Sequence, residues 1–309
     1  MIKKFQDFLL EKNTMRQFEQ LAICVSTDMP DNKYIYDSKY NTSKMFKLVT
    51  KENRKEHNGD MPILNYSNYH VGKLIETGYN PNLIFNNTEA KDRVSSKIEW
   101  HRMHEESGYT PNTVYTPNDI DNLVFPIIAK PDNRYAGQGI MVYDSLEAAK
   151  KEDLTKFDVF SEKFEIKEEF RVFCWKGIPL IHMYRVPSND ETKSLTKDIN
   201  DKLEFNYELG TEELSQDIRE VVNEFASAHK DLDFYSIDFA VTEDDIPYVI
   251  EMSSEPGPCF GVLGHVYREM YNECNETPLT QEAEDQINTW IKQDIDATIA
   301  SDKNRFKIR

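Results

Sequence analysis

Cysteine is scarce in this chain: Cys24, Cys174, Cys259 and Cys274 are the only four in 309 residues, far apart and without a C-x-x-C pair. That spacing suggests neither a zinc knuckle nor a disulfide framework, so reduced and mostly buried thiols are expected. Long apolar runs are missing as well. Nothing approaches the ~18 consecutive apolar residues of a membrane span. Gln6, Asp7 and Glu11 interrupt the opening stretch MIKKFQDFLLEK where a secretory signal should be apolar. An intracellular protein, cytoplasmic and without a membrane partner, is the expectation. Positive charge is short too, with 37 Lys and Arg against 55 Asp and Glu and a formal net charge of -18. Such a surface repels polyanions, which disfavours a nucleic-acid partner but allows a small basic pocket for phosphates. Internal repeats, low-complexity tracts and long flexible linkers are also missing.

What is present is globular. Hydrophobic residues at 39% and charged residues at 30%, with 16 Tyr and 17 Phe, can build a packed interior, and the length allows two or three lobes. Ile2, Phe5, Phe8, Leu9 and Leu10 recur at helical spacing and predict an amphipathic helix within residues 1–20. From 21 to 94, apolar runs such as LAICVS and NLIFN alternate with turn-rich polar stretches, as in a small α/β lobe. A helix is predicted from about Ser95 to Glu106, with Ser95 or Ser96 as cap and Gly108 and Pro111 beyond its end.

Then come VFPIIAKP, GIMVY, FDVFSEKF, EFRVFCW and IPLIHMYR, strand-like runs in a mostly antiparallel arrangement, with Lys176-Gly177 as a hairpin turn. Asp144-Ser145-Leu146-Glu147 has the form of a capping box opening a helix through Lys151, and Leu214, Ile218, Val221, Val222 and Phe225 mark an amphipathic helix. FYSIDFAV and PYVIEM bracket an acidic turn at Glu243–Asp245. Ile287, Trp290, Ile291 and Ile295 should form the buried face of a last helix.

Three segments carry chemistry. In FPIIAKPDNRYAGQGIMVY a strand delivers Lys130, and Gly137, Gln138 and Gly139 follow in a loop whose backbone can approach an anion closely. No Lys-Ser/Thr follows the glycines, so this is not a Walker loop, and the third glycine of a dinucleotide fingerprint is missing. In YSIDFAV and PYVIEMSSEPG, two neighbouring strands end in Asp238 and Glu251, a pair of carboxylates suited to a hard cation. VFSEKFEIKEEFRVFCWKGIPLIHMYR contributes Glu169, Arg171 and Arg185, the arginines being suited to bidentate contacts with phosphate or carboxylate.

In this order the blocks resemble the ATP-grasp superfamily, most closely its branch of amino-acid ligases that extend peptides or proteins with glutamate. The resemblance covers about residues 87–264. It implies an α+β fold in which two α+β subdomains, 95–165 and 166–309, grip ATP behind an N-terminal α/β lobe at 21–94. It further implies that Lys97 and Lys130 contact nucleotide phosphates and that the loop from Ala136 to Gly139 closes over them. Glu162, Lys163 and Phe164 would lie along adenine with largely backbone groups, and Glu169 would hold the ribose. Arg171, Arg185 and Lys130 would serve catalysis, while Asp238, Glu251 and Ser253 would hold magnesium, or manganese in its place. Ser253 departs from the pattern, which has Asn there; a hydroxyl ligates magnesium more weakly than an amide oxygen, and Glu255 is a candidate to compensate.

The implied reaction joins a carboxylate to an amine through an acylphosphate, releasing ADP and phosphate, with small-molecule or peptide substrates and a homodimer allowed. A non-catalytic nucleotide-binding or assembly protein on the same fold, or a kinase-like transfer, is the alternative. The start MIKKFQDFLLEK also resembles short N-terminal targeting peptides of tailed-bacteriophage head proteins, which would imply a host-cytoplasm or virion location. Of the histidines, His101 and His104 read as a solvated helix flank, and His265 as a substrate contact.

Overall fold

The computed structural model describes residues 21–24, 45–56, 59–66, 71–86, 88–132, 139–187, 205–257, 260–301 and 306–309. The expected helix within 1–20, and with it the phage-like start, lies outside these residues. So do Ala136, Gly137, Gln138 and Cys259.

The described residues form two compact units, neither of them continuous in sequence. The first draws on Met1–Thr88, Asp231–Phe234 and Gly257–Ser301. Its strands β1 (Leu21–Cys24), β2 (Phe46–Val49), β3 (Ile63–Asn65) and β4 (Ile84–Phe85) form a parallel sheet in the order β2-β1-β3-β4. All four residues of β1 are buried, as expected of a central parallel strand covered on both faces. Helix α1 (Val71–Glu76) buries Leu74 in the core that also holds Ala22, Val49, Ile63 and Tyr79.

Asn86 follows β4 at φ 61°, a left-handed conformation that Asn tolerates better than most residues. Its Oδ1 accepts from Asp233 N at 2.9 Å and Phe234 N at 2.8 Å, and its Nδ2 donates to Phe234 O at 2.8 Å. One buried amide thus ties residues 231–234 to the end of β4.

The second unit draws on Glu89–Lys230, Tyr235–Pro256 and Asp302–Arg309. Two helices lead into it, α2 (Thr88–Ser95) and α3 (Lys97–His104). Ser96 separates them and caps α3 by accepting from Glu99 N at 3.2 Å. Strands β5 (Thr113–Val114), β6 (Ile127–Lys130), β7 (Met141–Tyr143) and β8 (Val159–Glu162) make an antiparallel sheet ordered β5-β8-β6-β7. Along β6, Ile127 and Ala129 are buried in an apolar core with Ile120, Tyr143, Leu154, Phe157 and Phe160, so alternation turns Ile128 and Lys130 to the other face. Between β7 and β8 lies the short helix α4 (Leu146–Ala149), capped by Ser145.

A six-stranded sheet completes this unit. It contains β9 (Ile166–Trp175), β10 (Ile178–Pro187), β11 (Phe205–Leu209), then, after helix α5 (Gln216–Ala228), β12 (Phe234–Thr242) and β13 (Pro247–Ser253). The order is β13-β12-β9-β10-β11-β14, and β14 (Phe306–Ile308) runs parallel to β11. The β9–β10 turn is the expected Lys176-Gly177 pair, at φ 48° and 87°, the signature of a hairpin turn whose twist matches its strands. Gly177 is required twice over, because a Cβ there would sit 2.8 Å from Ala226 of α5.

Two helices of the first unit follow β13 in sequence, α6 (Val262–Cys274) and α7 (Gln281–Ser301). No start signal for α6 is legible in the chain, because its cap is Gly261 at φ 73° and makes no side-chain hydrogen bond. Gly261 and Gly264 allow α7 to approach closely; a Cβ on Gly264 would come within 2.4 Å of Ile291 Cγ1. The buried face of α7 is Ile287, Ile291, Asp294 and Thr298. Trp290 and Ile295, expected there, are only partly buried, because the face runs one row further round the helix. Cys24, Cys174 and Cys274 are buried and free of disulfides. Among the described residues no helix is long and apolar enough to cross a membrane.

Candidate functional site

The six-stranded sheet gathers charge on one face by register alone. Glu251 stands opposite Asp238 across β13 and β12, next to a bulge between Asp238 and Phe239. Arg185 stands opposite Glu169 on β9 and opposite Tyr207 on β11. Arg171, two residues from Glu169 and hence on the same face, donates Nε to Asp238 Oδ1 at 2.6 Å and Nη2 to Oδ2 at 2.7 Å. Arg185 donates to Glu169, whose carboxylate is buried. The result is a row across four strands in which two neighbouring acids, Glu251 and Asp238, are followed by acids and arginines in pairs.

Lys130, from the other sheet of the same unit, enters this field. Burial lowers its pKa, Glu251 and Glu169 raise it, and Lys97 adds to the lowering. An ammonium whose charge two acids support while burial and a second lysine oppose it gains from an added anion. Glu169 shows the mirror case: burial raises its carboxyl and Arg185 works against that rise. Burial opposes the charge of Arg171 and of Arg185, yet Asp238 in the first case and Glu169 in the second override it and hold the guanidinium pKa above its usual range.

Lys97 is fixed at the start of α3, donating to Asp132 O at 3.0 Å. The Asp132 carboxylate accepts from Ile98 N and Ser96 Oγ, both at 3.2 Å, so the residue after Pro131 anchors the Lys130 strand to the Lys97 helix. Gly139 sits at φ 75°, where a Cβ would press on Pro131 at 3.3 Å. Glu162 Oε1 accepts from Val124 N at 2.8 Å, and the N–H groups of Glu162 and Lys163 go to Asn112 O and Pro126 O. Both of these N–H groups are thus engaged within the protein. Phe164 packs its ring on Tyr248, 4.4 Å between centroids.

Two carboxylates facing each other across a strand pair suit magnesium, which takes one or two protein carboxylates and completes its shell with waters and substrate phosphates. Among the described residues no three His, Cys, Asp or Glu side chains converge as a self-sufficient metal cage. Asp238 and Glu251 fit a metal that arrives with a nucleotide. Ser253 Oγ accepts from Glu255 N at 3.3 Å. Glu255, the candidate to compensate for Ser253, is engaged elsewhere: Lys91 Nζ lies 2.8 Å from its Oε1.

A family model described as an ATP-grasp domain, the third family of its clade, matches residues 46–255. The chain belongs to the ATP-grasp family. The α+β architecture expected from the sequence is the one this family has. Among solved structures, D-alanine–D-alanine ligase from Bacillus anthracis is similar at 17% identity, with a TM-score of 0.54 over 92% of this chain and 98% of that one. N5-carboxyaminoimidazole synthetase from Staphylococcus aureus is similar at 11% identity and TM-score 0.56, over 86% of this chain and 81% of that one. The ATP-grasp ligase PsnB, solved with a phosphomimetic variant of its minimal precursor, Mg and ADP, gives 12% identity and TM-score 0.52, over 90% of this chain and 99% of that one. At such identities these likenesses carry the ATP-grasp fold alone. No curated protein matches the sequence.

The structure corrects the reading of the α3 histidines. His101 and His104 are buried, not solvated. The His104 ring stacks on Phe225 at 4.0 Å and its Nε2 meets His229 Nε2 at 2.8 Å. Burial lowers the His104 pKa to about 4 and drives that of His101 well below its usual value, with Lys130 adding to the latter. His265, in the other unit, contacts Arg268 through Nδ1 at 3.5 Å and is likewise lowered by burial to about 4.

Sequence reasoning missed Lys91, Asp132, Tyr207 and His229. None of them left a signal in the local sequence pattern; Tyr207 stands opposite Arg185 only through the β10–β11 register.

Proposed function

We propose that this protein is an ATP- and magnesium-dependent ligase that joins a carboxylate to an amine. The observation that carries the reading is the charged face of the six-stranded sheet, where Arg171 grips Asp238 opposite Glu251 and Arg185 pairs with Glu169, with the half-buried Lys130 of the neighbouring sheet within electrostatic reach of Glu251 and Glu169. Such a set gains most from a polyanion and a divalent cation entering together.

Lys97 and Lys130 would hold the phosphates of ATP, with the loop from Ala136 to Gly139 over them and Glu162, Lys163 and Phe164 along the base. Glu169 would reach the ribose while remaining paired with Arg185. Magnesium, or manganese, held by Asp238 and Glu251 with Ser253 beside them, would neutralise phosphate charge and orient the terminal phosphoryl group. The substrate carboxylate oxygen then bonds to the γ-phosphorus as the bond to the β-γ bridging oxygen breaks, giving an acylphosphate and ADP. An amine nitrogen bonds to the acyl carbon, phosphate leaves, and the nitrogen loses its proton. Lys130, Arg171 and Arg185 act by position, countering negative charge as it shifts from one oxygen to another.

The resemblance to glutamate-adding ligases makes glutamate the first amine to test, against small-molecule or peptide carboxylates, with the enzyme in the cytoplasm and a homodimer as its assembly. Ser253 in the Asn position favours a second reading, a nucleotide-binding protein without turnover. ADP release measured with pooled amino acids, peptides and cell extracts, followed by mass spectrometry of the adduct, separates the readings. Amine-dependent phosphate release supports the ligase. Phosphate transferred without an amine marks a kinase, and tight ATP binding with no ADP formed marks the non-catalytic protein.

A further inference from the structure

Asp238, one of the two candidate metal acids, is engaged at both carboxylate oxygens. Arg171 comes from the neighbouring strand with its planar fork in register, Nε on Oδ1 and Nη2 on Oδ2 at 2.6 and 2.7 Å. The Asp238 side chain is 9% exposed, so water does little to satisfy it, and without a cationic partner its charge would be costly. The fork is the geometry in which a guanidinium matches a carboxylate best. It also matches a phosphoryl group.

We propose that Arg171 is a stand-in for the metal: it closes Asp238 to divalent cations in the nucleotide-free protein and moves to phosphoryl oxygens when nucleotide and metal arrive together. The inference rests on the ligase site proposed above. A cation bound to Asp238 at coordination distance would lie close to the guanidinium, and two like charges at that spacing repel strongly away from bulk water. Nucleotide phosphates remove the conflict by offering Arg171 an equivalent planar acceptor. Metal and nucleotide then favour each other's binding reciprocally. Arg185 is the natural comparison. It brings the same charge to the same face, but its carboxylate partner is Glu169, which is not a candidate metal ligand.

The test is manganese binding to the full chain, read from the electron paramagnetic resonance signal of the free ion, with and without ADP. ADP should tighten Mn2+ binding to the native protein by about tenfold or more, the scale on which a charge at contact distance shifts a carboxylate equilibrium. Arg171→Gln should bind Mn2+ without ADP about tenfold more tightly than the native protein, and Arg185→Gln should not. Arg171→Met removes the charge while keeping much of the side chain's bulk, and should also bind more tightly; it decides the matter if Arg171→Gln does not fold. Unchanged affinity in the Arg171 variants, or an equal gain in Arg185→Gln, overturns the exchange. If the native protein fails to bind Mn2+ even with ADP, the metal-nucleotide site itself falls and the exchange falls with it.

Discussion

Lys91, whose side chain has no exposed surface, reaches from α2 to within 2.8 Å of Glu255 Oε1, just past the end of β13. The carboxylate side is 22% exposed, so the two ends of this pair are unequal. Glu255→Gln leaves a fully buried ammonium facing a neutral amide and should cost about 3 kcal/mol, whereas Lys91→Met leaves a carboxylate that water can reach and should cost about 1 kcal/mol. Urea denaturation of both variants measures the asymmetry; equal losses would show that burial does not govern the pair.

Acid should unfold the protein partly through His104. Its folded pKa, about 4, lies below the ordinary 6.5 of the unfolded chain, so the unfolded state binds the proton first. The stability it contributes is complete above pH 6.5 and is lost as pH falls from 6.5 through about 4, on the order of 3 kcal/mol for this one group. Equilibrium unfolding between pH 7 and 4 reports it, and His104→Gln should flatten the slope by about one proton.

At the site, Asp238→Asn, Glu251→Gln and Lys130→Ala should each lower the rate of ADP release by ~10²–10³, the usual loss when a preorganised charge contact is removed. Native far-ultraviolet circular dichroism must accompany the loss. Unchanged turnover in all three would remove the site assignment.

If Ser253 is the third ligand proposed above, Ser253→Asn should lower the magnesium concentration needed for half-maximal ADP release, because an amide oxygen would replace a hydroxyl. A magnesium titration that does not move would mean that Ser253 serves only the turn in which it accepts from Glu255 N.

Gly264→Val should destabilise the contact between α6 and α7 by about 1–3 kcal/mol, since even one added carbon falls 2.4 Å from Ile291 Cγ1. Thermal melts detect a loss of this size. Ile291→Ala in the same background should recover part of it if the clash is the cause.

Lys130, Asp238, Glu251, Arg171 and Arg185 are legible because each sits in or at the end of an apolar, β-branched or aromatic run that reads as a strand. Their convergence follows from segment order. The ties around them are not legible, since Lys91 finds Glu255 and Ser96 finds Asp132 across long stretches of chain with no local pattern. The α3 histidines mislead because polarity alone suggests solvent; the aromatic neighbours Trp100 and Phe225 that make the interior suitable come partly from α5. Helix α6 escapes because its start depends on the conformation of Gly261 rather than on a capping side chain. On α7, Asp294 and Thr298 occupy inward positions that hydrophobicity assigns to Ile295, and Thr298 Oγ1 accepts from Phe260 N at 3.3 Å.

The first unit's assembly from separated stretches has a consequence for synthesis. The parallel sheet leaves the ribosome early, while Tyr267 of α6, whose ring meets Phe46 edge-on at 5.2 Å, is translated near the end. At ~5–20 residues per second the interval is on the order of ten seconds or more. For that time the nascent chain carries an unfinished apolar surface, and a slowed or stalled ribosome prolongs the period in which a chaperone or a protease can reach it.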